Sequence, residues 1–78
     1  MTCREEILIA AGQLKDRRPD GTFSVTEVLD VMHANGTRYL STTIKGYVVT
    51  KMCRNAPQSS ATHYPDLERV APNTYRLI

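Results

Sequence analysis

Two short tetrads fix where this chain must start helices. Thr2-Cys3-Arg4-Glu5 and Ser24-Val25-Thr26-Glu27 each put a hydroxyl at an N-cap and a carboxylate three residues later. In such a capping box each side chain binds the other residue's backbone N–H, which satisfies donors that a helix start otherwise leaves orphaned. After the first box, Ile7, Leu8, Ala11 and Leu14 recur at helical spacing, which predicts a helix from Cys3 to Lys15 or Arg17. Gly12 is its weak point, at roughly 1 kcal/mol against Ala. Glu5 and Glu6 sit at its positive end, with Lys15, Arg17 and Arg18 near its negative end, as the helix dipole prefers. After the second box, Val25, Val28, Leu29 and Met32 form an apolar stripe, which predicts a helix from Val25 to Ala34. Asn35-Gly36 should end it, because both residues tolerate a left-handed C-cap. No second ligand lies at a useful spacing from His33, so His33 reads as a partner of the helix dipole rather than a metal ligand.

The stretch from Arg38 to Arg54, RYLSTTIKGYVVTKMCR, reads as one amphipathic helix with a lead-in. Ile44, Val48 and Met52 recur at i, i+4 and i+8, with Leu40 and Tyr47 beside them. Ser41 is the expected N-cap and Tyr39 an earlier alternative. The other face carries Thr42, Thr43, Lys45, Gly46, Val49, Thr50 and Arg54, and no carboxylate. Such a face suits solvent, or a DNA major groove, which it could enter without charge repulsion.

The remaining segments are shorter. Arg18-Pro19-Asp20-Gly21 is a turn, and Thr22-Phe23 a very short strand with Phe23 turned to the core. Residues 55–66 form a polar loop in which Pro57 and Pro65 exclude continuous helix. Ser59, Ser60, Thr62 and His63 there either donate to phosphates or simply cover a connection. Leu67–Val70 and Thr74–Ile78 read as two strands joined at Ala71-Pro72-Asn73, with Tyr75 and Leu77 on the core face. Leu67 and Val70 break strict alternation, which predicts a bulge or a late strand start. Two strands alone are marginal, so the Phe23 segment is expected as a third.

The chain has 78 residues, enough for one domain with a modest core. Cys3 and Cys53 have no companions at metal-ligand spacing, so no metal and no cofactor is expected, and the thiols point to a reduced, intracellular setting. The apolar run Ile7–Ala11 is too short to span a bilayer, so no membrane partner is expected. The net charge is +2, but residues 1–30 hold four bases against six acids, while residues 31–65 hold Arg38, Lys45, Lys51 and Arg54 with no acid. That positive island suits an anionic partner.

The order helix, short strand, capped helix, Asn35-Gly36 turn, helix Ser41–Arg54 opening Ser-Thr-Thr-Ile-Lys, then Leu-Glu-Arg-Val and Thr-Tyr-Arg-Leu strands resembles the winged helix-turn-helix domain across nearly the whole chain. The resemblance implies an α+β fold of three helices with a two-stranded wing, and a single domain over residues 1–78. It implies double-stranded DNA as the partner, with the third helix in the major groove and a nucleoid-associated cytoplasmic location. Carried over by position, Ser41, Thr42, Thr43, Lys45, Gly46, Val49 and Thr50 face bases or phosphates, Arg38, Lys51 and Arg54 face phosphates, and Asn73 lies at the wing tip, with Arg69 or Arg76 behind it. That tip is short and neutral, unlike strongly DNA-binding wings, which argues against minor-groove insertion. The exposed helix face lacks Arg, Asn and Gln between Thr42 and Thr50 and offers methyl groups instead, which points to a T-rich or 5-methylcytosine-containing site.

Two rivals stand beside this reading. Winged helices also serve as dimerisation or docking modules, and the low net charge and neutral tip favour that role. Cys53 with His33 or His63 could be posed as a thiol nucleophile and base, and Asp66 with Glu68 as a metal pair, but no surrounding motif supports catalysis. The end at Ile78, directly after the last strand, fits either a minimal binder or a domain of a longer protein in which it would address a fused or associated catalytic domain, such as a nuclease, or a regulator. Oligomeric state and target site stay open.

Overall fold

Both capping boxes form. In a computed structural model that describes residues 1–55 and 64–78, Thr2 caps α1 (Cys3–Leu14) and Ser24 caps α2 (Val25–Ala34). The Glu5 and Glu27 N–H groups donate to Thr2 Oγ1 and Ser24 Oγ at 3.2 and 3.1 Å, and each glutamate accepts the cap N–H at 2.9 Å. Both carboxyl groups are held below their usual range chiefly by those backbone hydrogen bonds. The end of α2 is equally local in origin. Gly36 takes φ +81°, its N–H donates to the His33 carbonyl, and the Thr37 N–H donates to the Met32 carbonyl. This is a Schellman closure, which the Asn35-Gly36 pair makes cheap. α1 stops at Leu14, one to three residues before the expected end.

β1 (Thr22–Phe23), β2 (Leu67–Ala71) and β3 (Thr74–Leu77) form one antiparallel sheet in the order β1-β3-β2. The expected third strand is present, and the expected bulge lies between Arg69 and Ala71. Phe23 opposes Tyr75, and both are buried. Truncating Phe23 to Ala would cost roughly 3–5 kcal/mol, the usual range for a fully buried aromatic.

The third helix departs from a single α-helix over 41–54. α3 covers only Ser41–Gly46, and Tyr47–Lys51 continue as a π-helical turn closed by the Met52 N–H on the Tyr47 carbonyl at 2.8 Å. Leu40, not Ser41, occupies the N-cap, and no side chain caps this helix. The stripe Ile44, Val48, Met52 is fully buried as its spacing implies, but Leu40 is 71% exposed and lies outside the core. Helical bonding stops at Lys51 because other partners take the carbonyls that follow. The Tyr64 N–H donates to the Lys51 carbonyl and the Leu67 N–H to the Met52 carbonyl, while the Arg54 N–H donates back to the Leu67 carbonyl. Cys53 therefore bridges Leu67 in parallel, and residues 53–55 run along the outer edge of β2. The core joins Ile7, Ala11 and Leu14 of α1 to Phe23, Val28, Met32, Ile44, Val48, Leu67 and Tyr75. Val31 is also buried, although the expected α2 stripe omits it. Among the described residues, no helix is long and apolar enough to cross a membrane.

Candidate nucleic-acid interface

The α3 surface divides as its sequence pattern implies. Thr42, Thr43, Lys45, Gly46 and Val49 are exposed, and Ser41, Thr50 and Lys51 are half-buried. Thr42, Thr43, Gly46, Tyr47, Thr50 and Lys51 line a shallow depression of about 350 Å³, with no carboxylate in its lining. Gly46 leaves its floor open, because a Cβ built there would meet nothing within 4 Å. Lys51 lies over the Tyr47 ring at 4.5 Å, which fixes the cation at one rim of this depression. Arg38 is exposed on the connection between α2 and α3.

Two residues expected to contact DNA, Arg54 on the helix face and Asn73 at the wing tip, have other engagements. Arg54 lies beyond the helical segment and pairs with Glu68, which also holds Arg76 at 2.7 Å. Hydrogen bonding from Arg76, then the charges of Arg76 and Arg54, holds the Glu68 carboxyl below its usual range. This cluster borders a separate depression of about 640 Å³ that includes Lys15 and Asp20, not the one over Gly46. Asn73, at φ +54°, turns its amide oxygen to the Val25 N–H at 3.3 Å and so ties the hairpin tip to the start of α2. Ser59, Ser60, Thr62 and His63 lie outside the described residues.

The acid-free window from Val31 to Pro65 thus overstates the free charge on one side and understates it on another. Arg4, Arg18, Arg54 and Arg76 are each held by a carboxylate, from Asp66, Glu27 and Glu68. Among the described residues, Lys15, Arg17, Arg38, Lys45, Lys51 and Arg69 have no such partner in an ion pair. Arg69 is exposed, opposes Tyr75 across the hairpin, and borders a groove of about 450 Å³ with Val49, Asn55 and Asn73. Sequence reading put Arg69 only behind the tip. The missing signal was Asn55, whose side chain holds the Arg69 backbone N–H and carbonyl at 3.1 and 3.0 Å.

Of the groups posed for catalysis, His63 lies outside the described residues. Cys53 is buried and its Sγ donates to Asn55 Oδ1 at 3.0 Å, while His33 is exposed at the end of α2. Burial, with Glu6 nearby, pushes the Cys3 thiol up and away from thiolate character. Asp66 takes a two-point bond from Arg4 at 2.8 and 2.9 Å, and Arg4 also covers the Tyr64 ring at 4.1 Å, so this carboxylate is structural. Among the described residues, no group of three or more His, Cys, Asp or Glu could hold a metal ion. No protein-family model, curated protein or solved structure matches the chain.

Proposed function

We propose that this chain is a winged helix-turn-helix module that binds double-stranded DNA, with α3 and its π-helical turn facing the major groove. The layout of three helical segments with a sheet ordered β1-β3-β2 supports the fold assignment. The observation that carries the function is the charge left over once internal ion pairs are subtracted. Four of the six cations left over lie around the acid-free helix face: Lys45 and Lys51 on it, Arg38 on the lead-in and Arg69 on the hairpin, while Lys15 and Arg17 follow α1. Cations without internal partners are the ones that can release counterions from a phosphate backbone. The methyls of Thr42, Thr43 and Val49 make a T-rich or C5-methylated site the preferred target, since methyl-to-methyl contact reads the C5 position.

NMR titration of the labelled chain with a mixed-sequence duplex, at low and then moderate salt, tests this directly. Shifts centred on Thr42–Lys51 that weaken as salt rises are expected. Absence of shifts at low salt would defeat the DNA reading. One observation favours a second reading, a protein-docking module. Leu40, at the N-cap of α3, is 71% exposed, and Val49 on the same helical segment is 44% exposed. Shifts on Leu40 and Val49 with a protein partner, and none with duplex, would favour it.

A further inference from the structure

The groove of about 450 Å³ between Val49 and the hairpin has spent its side-chain acceptors and kept donors. Asn55 Oδ1 accepts the Arg69 N–H and the Cys53 thiol, and the Asn55 amide nitrogen donates to the Arg69 carbonyl. Asn73 Oδ1 accepts the Val25 N–H, and the Asn73 amide nitrogen has no partner among the described residues. Tyr75 is the decisive side chain. Only 3% of it is exposed, and its hydroxyl makes no hydrogen bond among the described residues. Every described side-chain nitrogen or oxygen that is fully closed off from solvent has a partner, so this hydroxyl must have an opening, and the groove supplies it. Burial, with Cys53 nearby, pushes the phenol up, so the hydroxyl stays protonated and able to donate. Arg69 opposes Tyr75 across the hairpin and shares its face, and no carboxylate borders the groove. Val25, Val49 and the Tyr75 ring supply apolar wall. A cleft of this size, with apolar walls and a few converging polar groups, has the make-up of a small-molecule site.

We propose that this groove binds a small monocarboxylate with an apolar body, its carboxylate held by Arg69, the Tyr75 hydroxyl and the Asn73 amide, and its body laid against Val25 and Val49. The free groups donate, so the end of the ligand that meets them must accept. Among the lining residues Arg69 carries the one formal charge, which matches a single negative charge, and a planar carboxylate fits the guanidinium fork. A free ammonium would find neither a carboxylate nor an uncommitted amide oxygen, which excludes an unblocked amino acid. A phosphate dianion fits worse, because one cation faces it and apolar wall surrounds the rest. Asn55 is a positioning residue here, since it holds both backbone groups of Arg69. The site does not rest on the DNA-binding reading, and either can fail alone. A free acid and the last residue of a peptide chain carry the same end group, so the experiment includes both.

The test is an NMR titration of the labelled whole chain with isovalerate, compared with acetate, isovaleramide and an N-acetylated dipeptide ending in valine. Isovalerate should give saturable shifts at Val49, Arg69, Asn73 and Tyr75, with a dissociation constant on the order of 1 mM, ordinary for so small a ligand. Acetate lacks the apolar body and isovaleramide lacks the charge, so each should bind about tenfold more weakly. R69Q should weaken isovalerate about tenfold, and Y75F, which keeps the buried ring, about fivefold. R17Q removes an exposed cation that does not border the groove and should leave the affinity at the wild-type value. Tighter binding of the dipeptide than of isovalerate assigns the carboxylate to a peptide terminus, and equal or weaker binding assigns it to a free acid. No saturable shift with either ligand overturns the proposal. Equal affinity for the acid and its amide also overturns it, as does isovalerate binding that R69Q and Y75F leave unchanged. No arm uses a duplex, so each of these failures leaves the DNA reading standing.

Discussion

Asn73 Oδ1 accepts the Val25 N–H at 3.3 Å, so the hairpin tip closes the start of α2. Val25 is the first residue of α2, and its N–H is one of the donors that a helix start leaves without an internal partner. Asn73 also sits at φ +54°, where a Cβ is disfavoured but Asn is tolerated because its short amide can bond locally. N73A should therefore lose about 1–2 kcal/mol, combining backbone strain with the lost hydrogen bond. N73G should lose less, because Gly adopts this φ freely and only the bond is gone. Urea denaturation of the two variants checks the order. Equal losses would mean that strain contributes nothing and the amide bond alone matters.

Acid should loosen the sheet through Glu68. Its carboxyl group is depressed by Arg76 and Arg54, so its folded value lies below its unfolded one. A depressed carboxylate contributes stability above its unfolded pKa, about 4.3, and that contribution disappears as pH falls through the folded value. Glu5, Asp20 and Glu27 are depressed too, by Thr2, Thr22 and Ser24 respectively, and add to the same acid loss. Denaturation midpoints from about pH 7 down to about pH 3 should fall for wild type and fall less steeply for E68Q. E68Q should also start lower at neutral pH, since Arg54 and Arg76 lose their shared partner. Parallel pH curves would show that Glu68 contributes no linkage.

Methyl reading by α3 has its own test. T42S and T43S keep the hydroxyls and remove the methyls from two exposed positions. If those methyls meet a C5-methyl group, duplexes carrying 5-methylcytosine or thymine should bind wild type more tightly than the cytosine counterpart, and the double variant should lose that preference. The preference should amount to roughly fourfold, the scale of about 0.8 kcal/mol for burying one methyl-sized group. Identical affinity for methylated and unmethylated duplexes of every sequence would remove the methylation reading and leave DNA binding untouched.

What was legible in the sequence was local. The capping boxes at Thr2 and Ser24, the closure at Gly36 and the bulge after Arg69 each depend on residues within a few positions of one another. The π-helical turn was not legible, because Ile44, Val48 and Met52 satisfy a buried stripe in either hydrogen-bond register. What ends the helix is distant as well: Tyr64 and Leu67 take the carbonyls of Lys51 and Met52. Arg54 failed for the same reason. A charge window along the chain ends before Glu68, whereas the fold sets Glu68 against Arg54. Leu40 fits an apolar spacing yet falls at the N-cap, where its side chain is not carried onto the buried face.

Gly46 separates stability from function more cleanly than any other position. It takes ordinary helical angles, φ −59° and ψ −40°, and a Cβ there would meet nothing within 4 Å. Nothing in the isolated fold requires glycine, so G46A should stabilise the protein by about 0.5–1 kcal/mol. Gly12, inside α1 and equally unobstructed, should gain a similar amount in G12A and serves as the control. The two variants diverge only if α3 approaches a partner closely. On a duplex, the added methyl of G46A would fill the floor of the depression between Thr42 and Thr50, so its affinity should fall while that of G12A stays at the wild-type value. Thermal denaturation and duplex titration on the same two samples decide it. A G46A protein that is both more stable and fully competent in binding would show that the helix does not approach its partner at this glycine.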